Sequence, residues 1–441
     1  MSSLSFFPRE RRWRPGVRPR IALWVLLAWS GATTPLWSQA QPDQPAGPTE
    51  GPPAPPGLFR LGPVYLTPTF HVGSLGLDTN VFYTPTNRTT DFTTTGGPGL
   101  DLVLPIGSVF RVYANGEIDY VFFLRTDSQR RFGGDTRGGI ELRDDHWQGK
   151  LEEAYSETFQ RPSYEVDERI VVKEQDERGE LTWKPDRFHM TGKGTYTQMR
   201  VDQGQLYDGT DLGLTLTRNE TLTSLEVGYD LTTKTALIVG ADYEFDRFPF
   251  LPVRDADSNR VFGGFQIDSK TRLAGRAVAG VRLFRPLTGF ASFQVPYADA
   301  SLTYTTNPRT QFLAGYSRDL SYSAFEAVGA TSTLETETEN VGIDQALVGG
   351  LDLRLSGSRS HLTTEGVVTV VFGPTDIVSA ERVDTFWQAG ANIGYRFRSH
   401  LRIGLGATYS NRRSTFADFG IRGFIVGATV NYDPEHPDLH P

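Results

Sequence analysis

The chain contains few side chains whose type and spacing could support catalysis. It has no cysteine, which excludes thiolate nucleophiles, disulfides and cysteine-based metal sites. No G-x-S-x-G, phosphate-binding loop or H-E-x-x-H motif occurs. The histidines are dispersed along the chain as His71, His146, His189, His361, His400, His436 and His440. We therefore predict no enzyme activity, no cofactor and no metal site.

Three local clusters have both a functional and a plainer interpretation. Residues 144–146, Asp-Asp-His, could form an acid–base pair or bind a metal, but they are more typical of a polar turn. Residues 335–339, Glu-Thr-Glu-Thr-Glu, could bind calcium, but they are more typical of a solvated strand end. His436 and His440 could bind a metal adventitiously, but a solvated chain end is the simpler interpretation.

Charged residues recur at every second position in many segments, opposite apolar ones. In residues 108–124, for example, Arg111, Glu117 and Asp119 share one parity and apolar residues share the other. Successive side chains of a strand point to opposite faces, so the charges would share one face. We predict that this face lines a lumen, formed by Arg111, Glu117, Asp119, Glu226, Asp230, Asp242, Glu244, Arg272, Arg276, Arg282, Asp352, Arg354 and Arg402.

The signs of these charges are grouped along the chain. Acidic residues concentrate in residues 219–246, and arginines concentrate in residues 271–283. If the two groups face each other across a pore, their field would favour polar or zwitterionic solutes. Alternatively, the charges pair between neighbouring strands and only hydrate the interior. The sequence leaves both interpretations open.

The alternating segments indicate long strands. From about residue 64 to Tyr432 they are about ten to fifteen residues long, whereas strands average about five or six residues in soluble proteins. Aromatic residues tend to close the apolar face near strand ends, as in the girdles of membrane barrels. Segments 147–159 and 168–183 carry charge on both faces. They either extend beyond the bilayer or face a neighbouring subunit.

Tight turns and longer polar loops alternate strictly between these segments. The turns are predicted at residues 105–107, 144–146, 185–187, 232–234, 268–270, 307–309, 348–350 and 398–400. Membrane barrels have short periplasmic turns and longer external loops. The pattern predicts an all-β fold, a transmembrane antiparallel up-and-down β-barrel of about 18 strands, with 16 also compatible.

The chain ends have a different composition from the predicted barrel at residues 64–432. Residues 1–40 combine an arginine-rich start, a short apolar core and Ser38-Gln39-Ala40, which predicts a cleaved signal peptide. Residues 41–63 form a proline-rich linker, and residues 433–441 form a C-terminal tail. The formal net charge of −8 argues against nucleic-acid binding. Together these features predict secretion to the bacterial outer membrane.

One motif near the start of the predicted barrel resembles a known family. Gly76, Asp78, Asn80 and Phe82 form a strand-to-turn motif that is followed by Asp91. This motif resembles the opening of the outer-membrane β-barrel porins of type 2 from Gram-negative bacteria. The resemblance implies an outer-membrane location and, for some members, exopolysaccharide export. The nine residues after Tyr432 depart from the common barrel ending.

We therefore predict a porin or channel for passive passage of polar solutes, with an exopolysaccharide conduit as a narrower option. The alternatives are a structural or adhesive barrel with a plugged lumen and, less favoured, a barrel hydrolase. The predicted partners are outer-membrane lipid, the barrel-assembly machinery and a polar solute or polysaccharide, and a homo-oligomer is left open. Loop 364–381, with its apolar run from Val367, is the predicted inward-folded constriction.

Overall fold

The computed structural model describes residues 58–325, 327–328, 332–364, 367–371, 377–397 and 400–432. The predicted signal peptide, residues 41–57 of the linker and the tail at 433–441 lie outside these ranges. The described chain forms a closed antiparallel barrel of 18 strands, which confirms the predicted fold class. No helix among the described residues is long and apolar enough to cross a membrane.

The barrel strands follow one another around the barrel in chain order. They are β1 Val64–Asp78, β2 Asp91–Ile106, β3 Phe110–Phe123, β4 Arg131–Arg143, β5 Trp147–Gln160, β6 Ile170–Trp183, β7 Phe188–Val201, β8 Arg218–Asp230, β9 Thr235–Arg247, β10 Ala256–Ile267, β11 Leu273–Pro286, β12 Phe293–Asn307, β13 Thr310–Tyr322, β14 Thr333–Ala346, β15 Leu351–Thr364, β16 Val383–Phe397, β17 Leu401–Ser414 and β18 Ile421–Tyr432. Each pairs with its neighbour, and β1 pairs with β18 from Phe70↔Tyr432 to Asp78↔Ile425, which closes the sheet.

The two ends of the barrel differ in the length of their connections. Eight turns of two to five residues lie at one end, together with both termini of the barrel. Nine longer loops lie at the other end, at residues 79–90, 124–130, 161–169, 202–217, 248–255, 287–292, 323–332, 365–382 and 415–420. The alternation of short turns and long loops agrees with the pattern predicted from the sequence.

The outer face of most strands is apolar. In β9, Leu237 and Val239 point outward, and Val239 is 55% exposed. Ile238, Asp242 and Glu244, which have the opposite parity, are buried inside. Leu405 on β17 is 66% exposed on the same outer surface. Exposure of so many large apolar side chains indicates a surface that contacts lipid rather than water.

Strands β5 and β6 depart from this pattern in their halves nearer the long loops. There Glu153 lies opposite Glu177, and Glu157 lies opposite Lys173, on the outer face. Toward the short turns the same face carries apolar and aromatic residues such as Leu151. The outer face of these two strands therefore carries charged side chains beside exposed apolar ones such as Leu151 and Tyr155.

Candidate functional site

The structure places almost all of the predicted lumen residues on the inner face of the barrel. They alternate with the exposed apolar residues of the outer face and lie in a continuous wall. Arg272 is the exception. It lies in the turn at 268–272, before β11 begins at Leu273, and its side chain is exposed. The strand begins at Leu273, two residues later than the alternating pattern from residue 271 suggested, so Arg272 belongs to the short-turn surface.

The acidic and basic groups predicted from the sequence form ion pairs along one wall. Arg282 on β11 pairs with Glu244 on β9, and its Nη1 lies 3.2 Å from Asp319 Oδ1 on β13. Arg276 Nη1 lies 2.6 Å from Glu226 Oε2. These charges are thus paired with side chains two or three strands away on the same wall.

Arg260 completes this network, although the sequence analysis did not select it. Its Nε lies 3.1 Å from Asp242 Oδ2 and its Nη1 lies 2.7 Å from Asp319 Oδ2. The pairing of β9 with β10 places Arg260 directly across from Asp242. Across the short turn between β10 and β11, Arg260 lies opposite Arg282, so the register of that hairpin would have placed it beside a residue that the sequence analysis did select. The position of Asp319 cannot be found from a hairpin register, because this residue on β13 contacts Arg260 three strands away and Arg282 two strands away.

Two smaller groups of predicted lumen residues lie nearer the short turns. Asp352 accepts hydrogen bonds from Arg402 Nε at 3.0 Å and Arg396 Nε at 3.4 Å. Arg111 Nη2 lies 2.6 Å from Glu141 Oε2. Arg354 pairs with Asp344, and Asp230 pairs with Lys184 and His189. The last two predicted residues, Glu117 and Asp119, lie against His71.

A loop that joins β5 to β6 crosses the long-loop end of the barrel. We call residues 161–169 the crossing loop. Its Glu165 accepts hydrogen bonds from Ser323 Oγ and Ala324 N, each at 2.8 Å, at the end of β13. On β17, Arg412 donates to Asp167 Oδ2 at 2.6 Å and to the Tyr164 carbonyl. The crossing loop therefore reaches β17, six positions around the closed barrel from β5, and the end of β13, seven positions from β6.

An apolar cluster holds the crossing loop and its neighbours together. This mouth cluster consists of Val166, Ile170, Val172, Met199, Val201, Leu212, Leu216, Ala324, Phe325, Phe416 and Phe419. Its members come from the crossing loop, from the loop-side ends of β6 and β7, from a short helix at Leu212–Leu216, and from the loops at 323–332 and 415–420. Burial of apolar area at this end stabilises a constricted mouth.

Buried arginines tie the backbone of these loops together. Arg254 donates to the carbonyl of Thr215 at 2.7 Å and to that of Ser323 at 2.6 Å. Arg382 pairs with Asp384 at 2.6 Å and lies over the Phe419 ring at 3.9 Å.

Burial raises the pKa of Glu165, although the positive charge of Arg382 and the hydrogen bonds that the Glu165 carboxylate accepts act in the opposite direction. Burial thus disfavours the ionised form of this carboxyl group in the closure.

A cavity of about 330 Å³ opens beside the crossing loop. Phe82, Tyr83 and Tyr207 contribute aromatic walls, and Glu168 and Asp208 contribute carboxyl groups. Tyr83 and Asp208 have positive φ angles of 54° and 45°, a strained conformation that is often found at functional sites. Burial, with neighbouring carboxylates such as Asp167, raises the pKa of Asp208. We call this cavity the vestibule.

The residues of the opening motif organise the loop that borders the vestibule. Asn80 is fully buried, donates from Nδ2 to the carbonyls of Thr84 and Arg422, and accepts from Thr84 N. Asp91 accepts from the backbone of Thr126 at 2.8 Å. The remaining motif residues have separate positions: Asp78 Oδ1 accepts from Asn80 N, Gly76 lies against the β18 backbone, and Phe82 lines the vestibule.

The predicted constriction at 364–381 is described only in part. Val367–Val371 pairs with Ile377–Ala380 and with Ala327–Val328 in a small separate sheet, whereas residues 365–366 and 372–376 lie outside the described ranges. The closure that the structure does describe is built around the crossing loop instead. The sequence analysis missed this loop because its polar residues resemble those of an ordinary external loop.

No protein-family model and no curated protein sequence matches this chain. Among solved structures, the chain is similar to the siderophore receptor PirA from Pseudomonas aeruginosa at 13% identity and a TM-score of 0.42, over 83% of this chain and 80% of that one. OpdL of Pseudomonas aeruginosa matches at 12% identity and a TM-score of 0.41, over 84% and 97%. The copper transporter OprC matches at 9% identity and a TM-score of 0.44, over 82% and 63%. At these values the similarities assign neither a family nor a function, and the resemblance to the porins of type 2 stays a prediction.

Proposed function

We propose that this protein is an outer-membrane channel for small polar solutes, with a mouth that the crossing loop constricts. The observation that carries the proposal is the closed 18-stranded barrel with an apolar outer face and a charged inner wall. Barrels of 16 to 18 strands enclose an aqueous channel unless loops fold inward. The signal peptide at 1–40 and insertion by the barrel-assembly machinery belong to the same proposal.

The inner wall suits polar solutes of either sign. Its arginines and carboxylates are largely paired with one another, as in the Arg260 and Arg282 network. A wall of paired charges offers hydrogen-bond partners without a strong net field. At the mouth, the vestibule adds aromatic surfaces and carboxyl groups. We expect it to favour hydroxylated or cationic solutes over anions.

Planar-bilayer recordings of the purified mature chain test the proposal. We expect small, intermittent conductance from the unaltered protein and a larger, steady conductance when residues 161–169 are replaced by a short Gly-Ser linker. The matched control replaces residues 287–292, another long loop, which contributes no residue to the mouth cluster or to the lining of the vestibule. Absence of conductance from the folded, inserted variant without the crossing loop would contradict the channel proposal.

The mouth cluster also supports a second candidate, a structural barrel whose lumen is permanently plugged. That candidate predicts no conductance even after the crossing loop is replaced, so the same recordings separate the two. A polysaccharide conduit is a narrower proposal that requires the crossing loop to leave the mouth, since a polymer cannot pass between packed side chains. Block of the opened variant by added oligosaccharides would support it. Among the described residues, no arrangement favours a hydrolase.

A further inference from the structure

A histidine and two carboxylates meet on the inner wall far from the mouth cluster. His71 on β1 lies against Glu117 on β3 through Nδ1, and its Nε2 lies 3.1 Å from Asp119 Oδ1. One ring nitrogen of His71, one carboxylate oxygen of Glu117 and one of Asp119 lie within 4.8 Å of one another. The three residues come from strands that are not adjacent, because β2 runs between β1 and β3.

Glycines on β2 make this meeting possible. His71 lies opposite Gly97 on β2, and Glu117 lies opposite Gly99. A Cβ atom at Gly97 would collide with the Ile118 carbonyl, and one at Gly99 would collide with the Thr69 hydroxyl. Without side chains at these two positions, the imidazole can lie over β2 and reach the carboxylates of β3. The site therefore depends on the local shape of the wall as well as on its charges.

The cluster carries more negative than positive charge. Asp135 on β4 lies directly across from Glu117 and adds a third carboxylate to Glu117 and Asp119. Arg137 on the same strand interacts electrostatically with Asp135, but its Nε also lies 3.8 Å from Glu152 Oε2. Even a protonated His71 would leave this group of carboxylates incompletely neutralised. Glu117 is only 5% exposed, so water alone compensates its charge poorly.

We propose that His71, Glu117 and Asp119 bind a divalent transition-metal ion such as Zn²⁺ in the barrel wall, with Asp135 as an additional carboxylate beside it. One imidazole nitrogen with carboxylate oxygens is a ligand set that suits Zn²⁺, at bond lengths of about 2.0–2.2 Å. His71 would bind the ion through one ring nitrogen, and the carboxylates of Glu117 and Asp119 would supply oxygen ligands. The site goes beyond the proposed channel function and does not depend on it.

Calorimetric titration of Zn²⁺ into the detergent-solubilised mature barrel tests the site. The protein carries no affinity tag, and His436 and His440 in the tail are replaced by Ala so that they cannot bind the ion. We expect one Zn²⁺ per barrel in this background, and binding at least about tenfold weaker in H71Q and in E117Q.

Two matched variants control for general effects of the substitutions. His361→Ala removes an outward histidine that bonds Thr385 at 3.0 Å, and Glu141→Gln removes an inner-wall carboxylate that is paired with arginines. Both should bind Zn²⁺ as the background does. No binding by the background protein, or equal binding by H71Q, would overturn the proposal. Conductance recorded without Zn²⁺ tests the channel function separately. Failure of the metal-site proposal can therefore be distinguished from failure of the channel proposal.

Discussion

Arg412 is the side chain that most directly anchors the crossing loop to the barrel wall. Its guanidinium is 2% exposed and donates to Asp167, to the Tyr164 carbonyl and, at 2.7 Å, to the Phe419 carbonyl. We predict that Arg412→Ala releases the crossing loop and raises the fraction of time that the channel is open. The substitution removes no residue of the ion network on β9–β13 and leaves the outer face unchanged.

The size of the effect follows from the burial of the broken contacts. Removing one partner of a buried ion pair costs about 3–5 kcal/mol. Asp167 keeps 13% exposure and can be hydrated, so the lower end of this range, about 3 kcal/mol, is the appropriate figure. Since each 1.4 kcal/mol is a factor of ten, the closed-to-open ratio should fall by about 100-fold.

Single-channel recording at fixed voltage and pH measures this ratio directly. The matched control is Arg413→Ala, which removes an arginine one position further along β17 that lies over Trp387 on the outer face. That variant should keep the ratio of the unaltered protein. An unchanged ratio in folded, inserted Arg412→Ala protein, or an equal change in Arg413→Ala, would refute the role of the crossing loop as the constriction.

Three further predictions concern the closure, the lipid face and the orientation of the barrel. Burial raises the pKa of Glu165, so the closure is most stable at low pH and loses stability as the pH rises through that pKa. The fraction of time that the channel is open should therefore increase over this pH range in the unaltered protein. In Glu165→Gln it should not increase. Val239→Arg on the outer face should destabilise the barrel by about 2–4 kcal/mol in lipid-based unfolding measurements if Val239 lies near the bilayer midplane. In intact cells, a membrane-impermeant maleimide should label Asn87→Cys in a long loop but not Asp145→Cys in a short turn. Labelling of Asp145→Cys alone would contradict an orientation in which the long loops face the outside of the cell.

Much of the barrel could be predicted from local patterns. Alternation along β9 places Leu237 outside and Ile238 inside through the geometry of the strand itself, without any knowledge of its partners. The strict alternation of short turns and long loops then fixes an even number of strands and places both ends of the barrel together. Arg272 was misplaced because the first residue of a strand cannot be distinguished from the last residue of a turn by periodicity alone.

The sequence by itself determined which faces of the strands are apolar and which are charged, because that pattern repeats every two residues. Only the tertiary structure decided how the charges pair, as when Arg260 reaches Asp319, and which loop closes the mouth. Arg412 and Tyr164 meet although 248 positions separate them in the chain. Such contacts depend on the curvature of the closed wall and on the packing of loops, which leave no periodic trace in the residues.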